Sequence, residues 1–197
     1  MPSHRKSRVT FNEPGHAHEL TFSCYHRWPL LDRDPLRQIV LAALSDARSQ
    51  WRFHVWAYVL MPEHAHLLVL PLDAPYRMDL ILTGIKKRAA TRCLNWLREH
   101  EPETASQLAV RSERGRLRHR FWQDGPGYDR NLFSPNSIWN SIEYMHWNPV
   151  ARGLAQSPCD WPWSSARFYA DLDGLPFAVD PCPVERSPAP PDHLRRG

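Results

Sequence analysis

Apolar and polar positions alternate with period two over residues 19–26, ELTFSCYH, where Leu20, Phe22 and Cys24 interleave with Thr21, Ser23 and Tyr25; this is the pattern of a strand. Asp34 and Pro35 then suit a helix start, and Leu36, Ile39, Val40, Ala43, Leu44 and Ala47 repeat at helical spacing behind them. Residues 53–60, FHVWAYVL, are aromatic and β-branched and read as a strand. Met61, Pro62 and Glu63 interrupt it, because proline cannot donate to a central ladder. Residues 64–70, HAHLLVL, read as its hairpin partner. A long helix is predicted from Met78 to Glu99, with Ile81, Leu82, Ile85, Ala89, Cys93 and Trp96 inward.

Residues 115–123, GRLRHRFWQ, predict a further strand, with Arg116, Arg118, Arg120 and Trp122 on one face and Leu117, His119 and Phe121 on the other. Gly125, Pro126 and Gly127 end it. A helix follows from Pro135 to Trp147 on Ile138, Ile142 and Met145, and residues 161–169 predict a short turn or helix. From Pro176 the chain is rich in proline and poor in large apolar residues, the composition of a disordered tail. The order strand, helix, strand, strand, helix, strand is the split βαβ of a ferredoxin-like sandwich, an α+β fold with an antiparallel sheet, helices on one face and a C-terminal helical extension. The expected organisation is a flexible arm over 1–17, one domain over 18–172 and a tail over 173–197. That fold hosts many activities and selects none.

The chain has 197 residues, a net charge of +4 and nine tryptophans. No apolar run reaches the roughly 18 residues of a membrane span, and no apolar core follows the basic first residues as in a signal peptide. Cys24, Cys93, Cys159 and Cys182 are scattered, which argues against a disulfide framework and for reduced thiols in a cytoplasmic protein. Five arginines fall within residues 111–120, so nucleic acid is a plausible partner, as is a merely solvated basic loop.

His64 and His66 lie two apart on a predicted strand, so both imidazoles project from one face and can share a divalent ion. Eleven histidines in this length give about 0.6 such pairs by chance, and His16 with His18 repeats the tripeptide. Context separates the two copies. The second lies between the apolar runs 55–60 and 67–70, where unpartnered imidazoles are costly. A metal or catalytic role and a pair of satisfied core histidines both fit. Among six tyrosines, Tyr128 stands out because it directly follows the Gly-Pro-Gly segment after the arginine strand; Tyr144, on the predicted helix, reads as packing or a DNA contact.

Three ordered motifs carry a resemblance: YVLMPEHAHLLV at 58–69, RFWQDGPGYDR at 120–130, and IEYMHWNPVARGL at 142–154 with DWPWSS at 160–165. Together they resemble REP-associated tyrosine transposases, single-domain relatives of the HUH single-strand transposases. The resemblance runs from Glu19 to Tyr169. It implies a ferredoxin-like fold, Mg²⁺ or Mn²⁺ at His64 and His66, Tyr128 as nucleophile, and a substrate of single-stranded DNA with hairpins, cut and rejoined through a 5′-phosphotyrosine link. Imidazoles alone would lean towards zinc or another transition metal. Family members often carry asparagine where this chain has Glu63. They take a third metal ligand from the helix bearing the tyrosine, one turn later. The residue so placed after Tyr128 is Leu132, which cannot bind metal, so Asn131 is the nearest substitute. Arg116, Arg118, Arg120, Lys86, Lys87 and Arg130 are the expected phosphate contacts. The expected assembly is a monomer, with a homodimer as the alternative. The alternative function is a domesticated hairpin-binding protein that does not cut.

Overall fold

A computed structural model describes residues 11–111, 115–125 and 127–186. Strand β1 (Ala17–Ser23) leads through two 3₁₀ turns to helix α1 (Asp34–Trp51). Strands β2 (Phe53–Leu60) and β3 (His64–Pro71) form the expected hairpin, and α2 (Met78–His100) follows, with the short α3 (Pro102–Gln107) behind it. The remaining elements are β4 (Ala109–Arg111), β5 (Leu117–His119), β6 (Tyr128–Leu132), α4 (Pro135–Ala151) and α5 (Ala166–Tyr169). The main sheet is antiparallel in the order β2-β3-β1-β6. This is the arrangement of the ferredoxin-like sandwich, as the pattern implied.

The two faces of the sheet bury different partners. Leu20, Phe22, Val55, Leu67 and Val69 join α1 and α2 in one core, with Leu36, Val40, Leu44, Ile81, Ile85 and Cys93. Ala57, Val59, Leu68 and Leu132 on the opposite face meet Ile138, Ile142 and Met145 of α4. The C-terminal extension thus covers part of the second face and leaves the rest open. Ser134 caps α4, its hydroxyl accepting from the Ser137 amide at 3.3 Å, and Pro135 occupies the first turn.

Three expectations change. The arginine strand is three residues long and pairs with β4 in a separate two-stranded sheet. Trp122 lies buried instead of sharing an exposed face with the arginines. The fourth strand of the main sheet is β6, which begins at Tyr128.

The described ends are also more tied down than their composition implied. Residue 17 already belongs to β1, the backbone of Phe11 bonds the Asn131 side chain, and Tyr76 Oη donates to the Glu13 carbonyl at 2.9 Å. Downstream, Phe177 and Val179 are buried, and Asp180 accepts from the Val55 amide at 2.8 Å while its own amide returns a bond to the Val55 carbonyl. Trp139 Nε1 donates to the Val184 carbonyl at 3.0 Å. The strip up to Arg186 is thus fastened by backbone bonds that composition does not reveal. The expected disorder of 1–10 and 187–197 concerns positions outside the described residues. No described helix is long and apolar enough to cross a membrane, and all four cysteines are free.

Candidate metal and strand-cleavage site

Sheet register builds the site. Thr21 of β1 pairs with His66 of β3 on one side and Tyr128 of β6 on the other, while Ser23 pairs with His64. Directly paired residues share a face, so His64, His66, Thr21 and Tyr128 all project from the side that α4 covers in part. Both histidines are buried. Their Nε2 atoms converge to 2.9 Å, and each distal nitrogen is held: His64 Nδ1 by the Glu63 carboxylate at 3.0 Å, His66 Nδ1 by the Thr21 hydroxyl at 2.7 Å. With Nδ1–H donating outward, each Nε2 presents its lone pair to the shared point, the arrangement by which carboxylate and hydroxyl partners orient metal-ligating histidines.

The spacing fits one ion. Two adjacent octahedral ligands, each roughly 2.1 Å from a metal, stand about 3 Å apart. The protonation states fit too. Burial lowers the His64 pKa, partly countered by Glu63, and burial with His64 alongside lowers that of His66 to about 3. Both rings are therefore neutral near pH 7, as metal binding requires. Burial alone would raise the Glu63 carboxyl; the Arg152 hydrogen bond and charge, with His64 alongside, bring it below its usual value. Among the described residues no third His, Cys, Asp or Glu completes a metal cluster with the pair. Further ligands would be oxygens of amides, of water or of an anionic phosphate.

An open cavity of about 510 Å³ adjoins His66, lined also by Glu19, Thr21, Tyr128, Arg130 and Tyr144. Two tyrosines thus face the histidine pair. Tyr128 lies on a strand, two strand spacings (about 9.6 Å) from His66 across Thr21. Gly127 before it has φ +81°, and a Cβ there would meet the Thr21 carbonyl oxygen at 2.4 Å; Pro126 lies outside the described residues. Gly127→Ala should therefore cost about 2 kcal/mol and lower Tm by about 4–8 °C in a domain of this size. Thermal denaturation measures it, and an unchanged Tm would show that the turn is slack.

Tyr144 stands on α4 with its ring centroid 6.2 Å from that of His66, edge to face, and it is 60% exposed. Asn148 follows one turn later on the same helical face, its Nδ2 donating to the Tyr144 carbonyl at 3.1 Å, so Oδ1 is an oxygen donor at that position. The signal was in the sequence. Residues 144 and 148 are four apart and lie off the stripe formed by Ile138, Ile142 and Met145.

Asn131 is corrected. It pairs with His18, whose partner on β3 is Val69, so it projects from the face opposite His66. Its amide holds Phe11, with Nδ2 donating to the Phe11 carbonyl at 2.5 Å. A histidine of the discounted first copy has a structural role: His18 is fully buried, with Nδ1 2.8 Å from Asp129 and Nε2 2.9 Å from Tyr76 Oη.

The expected phosphate contacts divide. Lys86, Lys87, Arg118 and Arg120 line one open cavity of about 700 Å³ between α2 and the β5 segment. Lys86 Nζ donates to the Gly125 carbonyl at 2.7 Å, and burial lowers its pKa, partly offset by Asp124. Arg120 pairs with Asp124. Arg130 lies apart from them, beside the histidines, 2.5 Å from Glu19. Arg116 is exposed and lines neither cavity. Trp163 and Trp161 pack under Arg37, whose guanidinium lies 5.4 and 5.1 Å from their ring centroids; Trp147 is exposed on α4.

No protein-family model matches the chain. A Haemophilus influenzae protein provisionally named a REP-associated tyrosine transposase is 26% identical over 143 residues, 71% of this chain and 72% of its own length. A solved REP-associated tyrosine transposase bound to a REP hairpin superposes with a TM-score of 0.64 at 17% identity, covering 95% of this chain and 99% of that one. A structure from Deinococcus radiodurans, provisionally named a transposase, superposes with a TM-score of only 0.44 at 15% identity over 70% of this chain. The resemblance read from the three motifs is borne out in both sequence and fold.

Proposed function

We propose, from this likeness to REP-associated tyrosine transposases, that the chain is a metal-dependent single-strand DNA endonuclease and strand transferase acting beside hairpins. The convergence of His64 and His66 Nε2 at 2.9 Å, with both Nδ1 atoms held, carries the reading. The two imidazoles would hold Mg²⁺ or Mn²⁺, the choice resting on the family. When bound, such an ion withdraws charge from a non-bridging phosphate oxygen and favours a nearby phenolate.

The nucleophile is assigned to Tyr144 in preference to Tyr128. Relatives carry the tyrosine on a helix with a ligand one turn on, and α4 offers that pair as Tyr144 and Asn148, whereas Tyr128 lies on a strand. On this assignment the residue one turn beyond the tyrosine is Asn148, and Leu132 on β6 is not required to bind metal. Tyr144 Oη would attack the phosphorus, forming the O–P bond while the P–O3′ bond breaks and the departing 3′ oxygen takes a proton. The 5′-phosphotyrosine link keeps the bond energy, so another 3′-OH can reverse the step without ATP. Arg130 and the Lys86–Arg120 cavity would hold flanking phosphates.

The test is incubation with a labelled hairpin oligonucleotide carrying single-stranded flanks and Mn²⁺, followed by denaturing electrophoresis. A protein–DNA adduct dependent on His64 and His66 is expected. Hairpin binding without adduct across flank sequences and metals would overturn catalysis.

A further inference from the structure

Behind the histidine pair, Glu63 gathers two arginines that the proposed reaction does not use. Its buried carboxylate accepts from Arg152 Nη1 at 2.7 Å and lies 3.5 Å from Arg27 Nη2, besides holding His64. Three elements meet here: the β2–β3 turn, the residue following α4, and the segment after β1. The turn is strapped to that segment by Cys24 N–H to the Glu63 carbonyl and Leu31 N–H to the Pro62 carbonyl, both 2.8 Å. Arg27 is held at φ +55° directly after His26 at +52°. Two consecutive non-glycine residues in the left-handed region are rare, and such conformations persist where the surroundings fix a side chain in place.

The charges do not cancel. One carboxylate faces two guanidiniums, leaving a positive surplus. The arginines stay open to solvent, with side chains 67% and 46% exposed, although Glu63 between them is not. Both line an open cavity of about 380 Å³ walled by Pro29, Pro62 and Leu154. A guanidinium carries five N–H donors in a fork that matches phosphate oxygens, and the contact to Glu63 engages one terminal nitrogen of each. An anion that brings several acceptor oxygens answers both the surplus charge and the unused donors.

We propose that Arg27 and Arg152 form a second phosphate subsite, taking a backbone phosphate of the single strand next to the one at the histidine pair. This rests on the strand-cleavage reading, since a strand crossing His66 and His64 is carried on towards Glu63 and its arginines.

Binding of hairpins with single-stranded flanks, measured in EDTA with one flank linkage at a time made neutral as a methylphosphonate, tests it. In the wild type, one linkage beyond that at the histidines should weaken binding about threefold or more when neutralised. Arg27→Gln, which leaves Arg152 on Glu63, should abolish sensitivity at that linkage alone. It should also reduce the slope of log affinity against log salt by about 0.7–1. Arg152→Gln, compared at matched folded fraction by thermal denaturation, should do the same. Flank binding by the wild type with an unchanged linkage profile and slope in Arg27→Gln would overturn the subsite and leave the cleavage reading standing. Inorganic phosphate that stabilises the wild type but not Arg27→Gln, with no linkage sensitive, would assign the pair to a free anion and also overturn it. No DNA binding by the wild type would remove the reading underneath.

Discussion

Replacing Tyr144 by phenylalanine should eliminate the covalent protein–DNA adduct, a loss of about 10³-fold or more, because the proposed mechanism takes the attacking oxygen from Tyr144. Tyr128→Phe keeps the adduct within about tenfold, the scale of a lost hydrogen bond. The contrast follows from geometry. The Tyr144 ring meets the His66 ring edge to face, while Tyr128 must lean across Thr21 to reach the same place. Neither change alters the core: Tyr144 is exposed and Tyr128 half-buried. Melting curves close to wild type should accompany both. Loss of the adduct in Tyr128→Phe with retention in Tyr144→Phe would reverse the assignment and restore the tyrosine after the arginine segment. Asn148→Ala should lower adduct yield without abolishing it, since water can take the vacated position on a divalent ion.

What the sequence made legible depended on how much of each element is buried. Residues 53–60 and 64–71 are buried almost throughout and read as strands from their apolar runs. The two long helices showed their stripes, and period-two alternation alone placed His64 and His66 on one face. β6 escaped because its five residues, YDRNL, bury only Leu132 and carry two charges; an edge strand so polar leaves no alternation to read. The arginine segment does alternate, but alternation cannot name a partner, and β4 proved to be the partner in place of the main sheet. Tyr144 reads as packing or a DNA contact because it sits among apolar helical positions, yet its offset from the Ile138–Ile142–Met145 stripe leaves it exposed beside His66. The tail misled for a different reason: Phe177, Val179 and Asp180 are three residues in a proline-rich stretch, and a few anchors suffice to fasten a strip whose composition argues for disorder.

Millimolar Mn²⁺ should raise the melting temperature of the wild type and leave His64→Ala/His66→Ala unmoved. An ion at 100 times its Kd that binds only the folded state adds about 2.7 kcal/mol, or roughly 5–10 °C for a chain of this size. Differential scanning calorimetry, each variant referenced to its own metal-free melt, reads the difference. The pH dependence has a definite sign. Below about pH 6.5 the histidines of the unfolded chain take up protons. His64 and His66 in the fold resist, since burial depresses both and brings His66 to about 3; buried His146 behaves likewise, at about 4. The unfolded state then binds more protons, so metal-free stability is full above pH 6.5 and declines as pH falls towards 3. Because burial holds both folded rings below the pKa of an ordinary surface histidine, the Mn²⁺ shift should be lost at lower pH than at a site of exposed histidines. A wild-type shift that vanishes between pH 7 and 6, or one that survives in the double variant, would place the ion elsewhere than between the two Nε2 atoms.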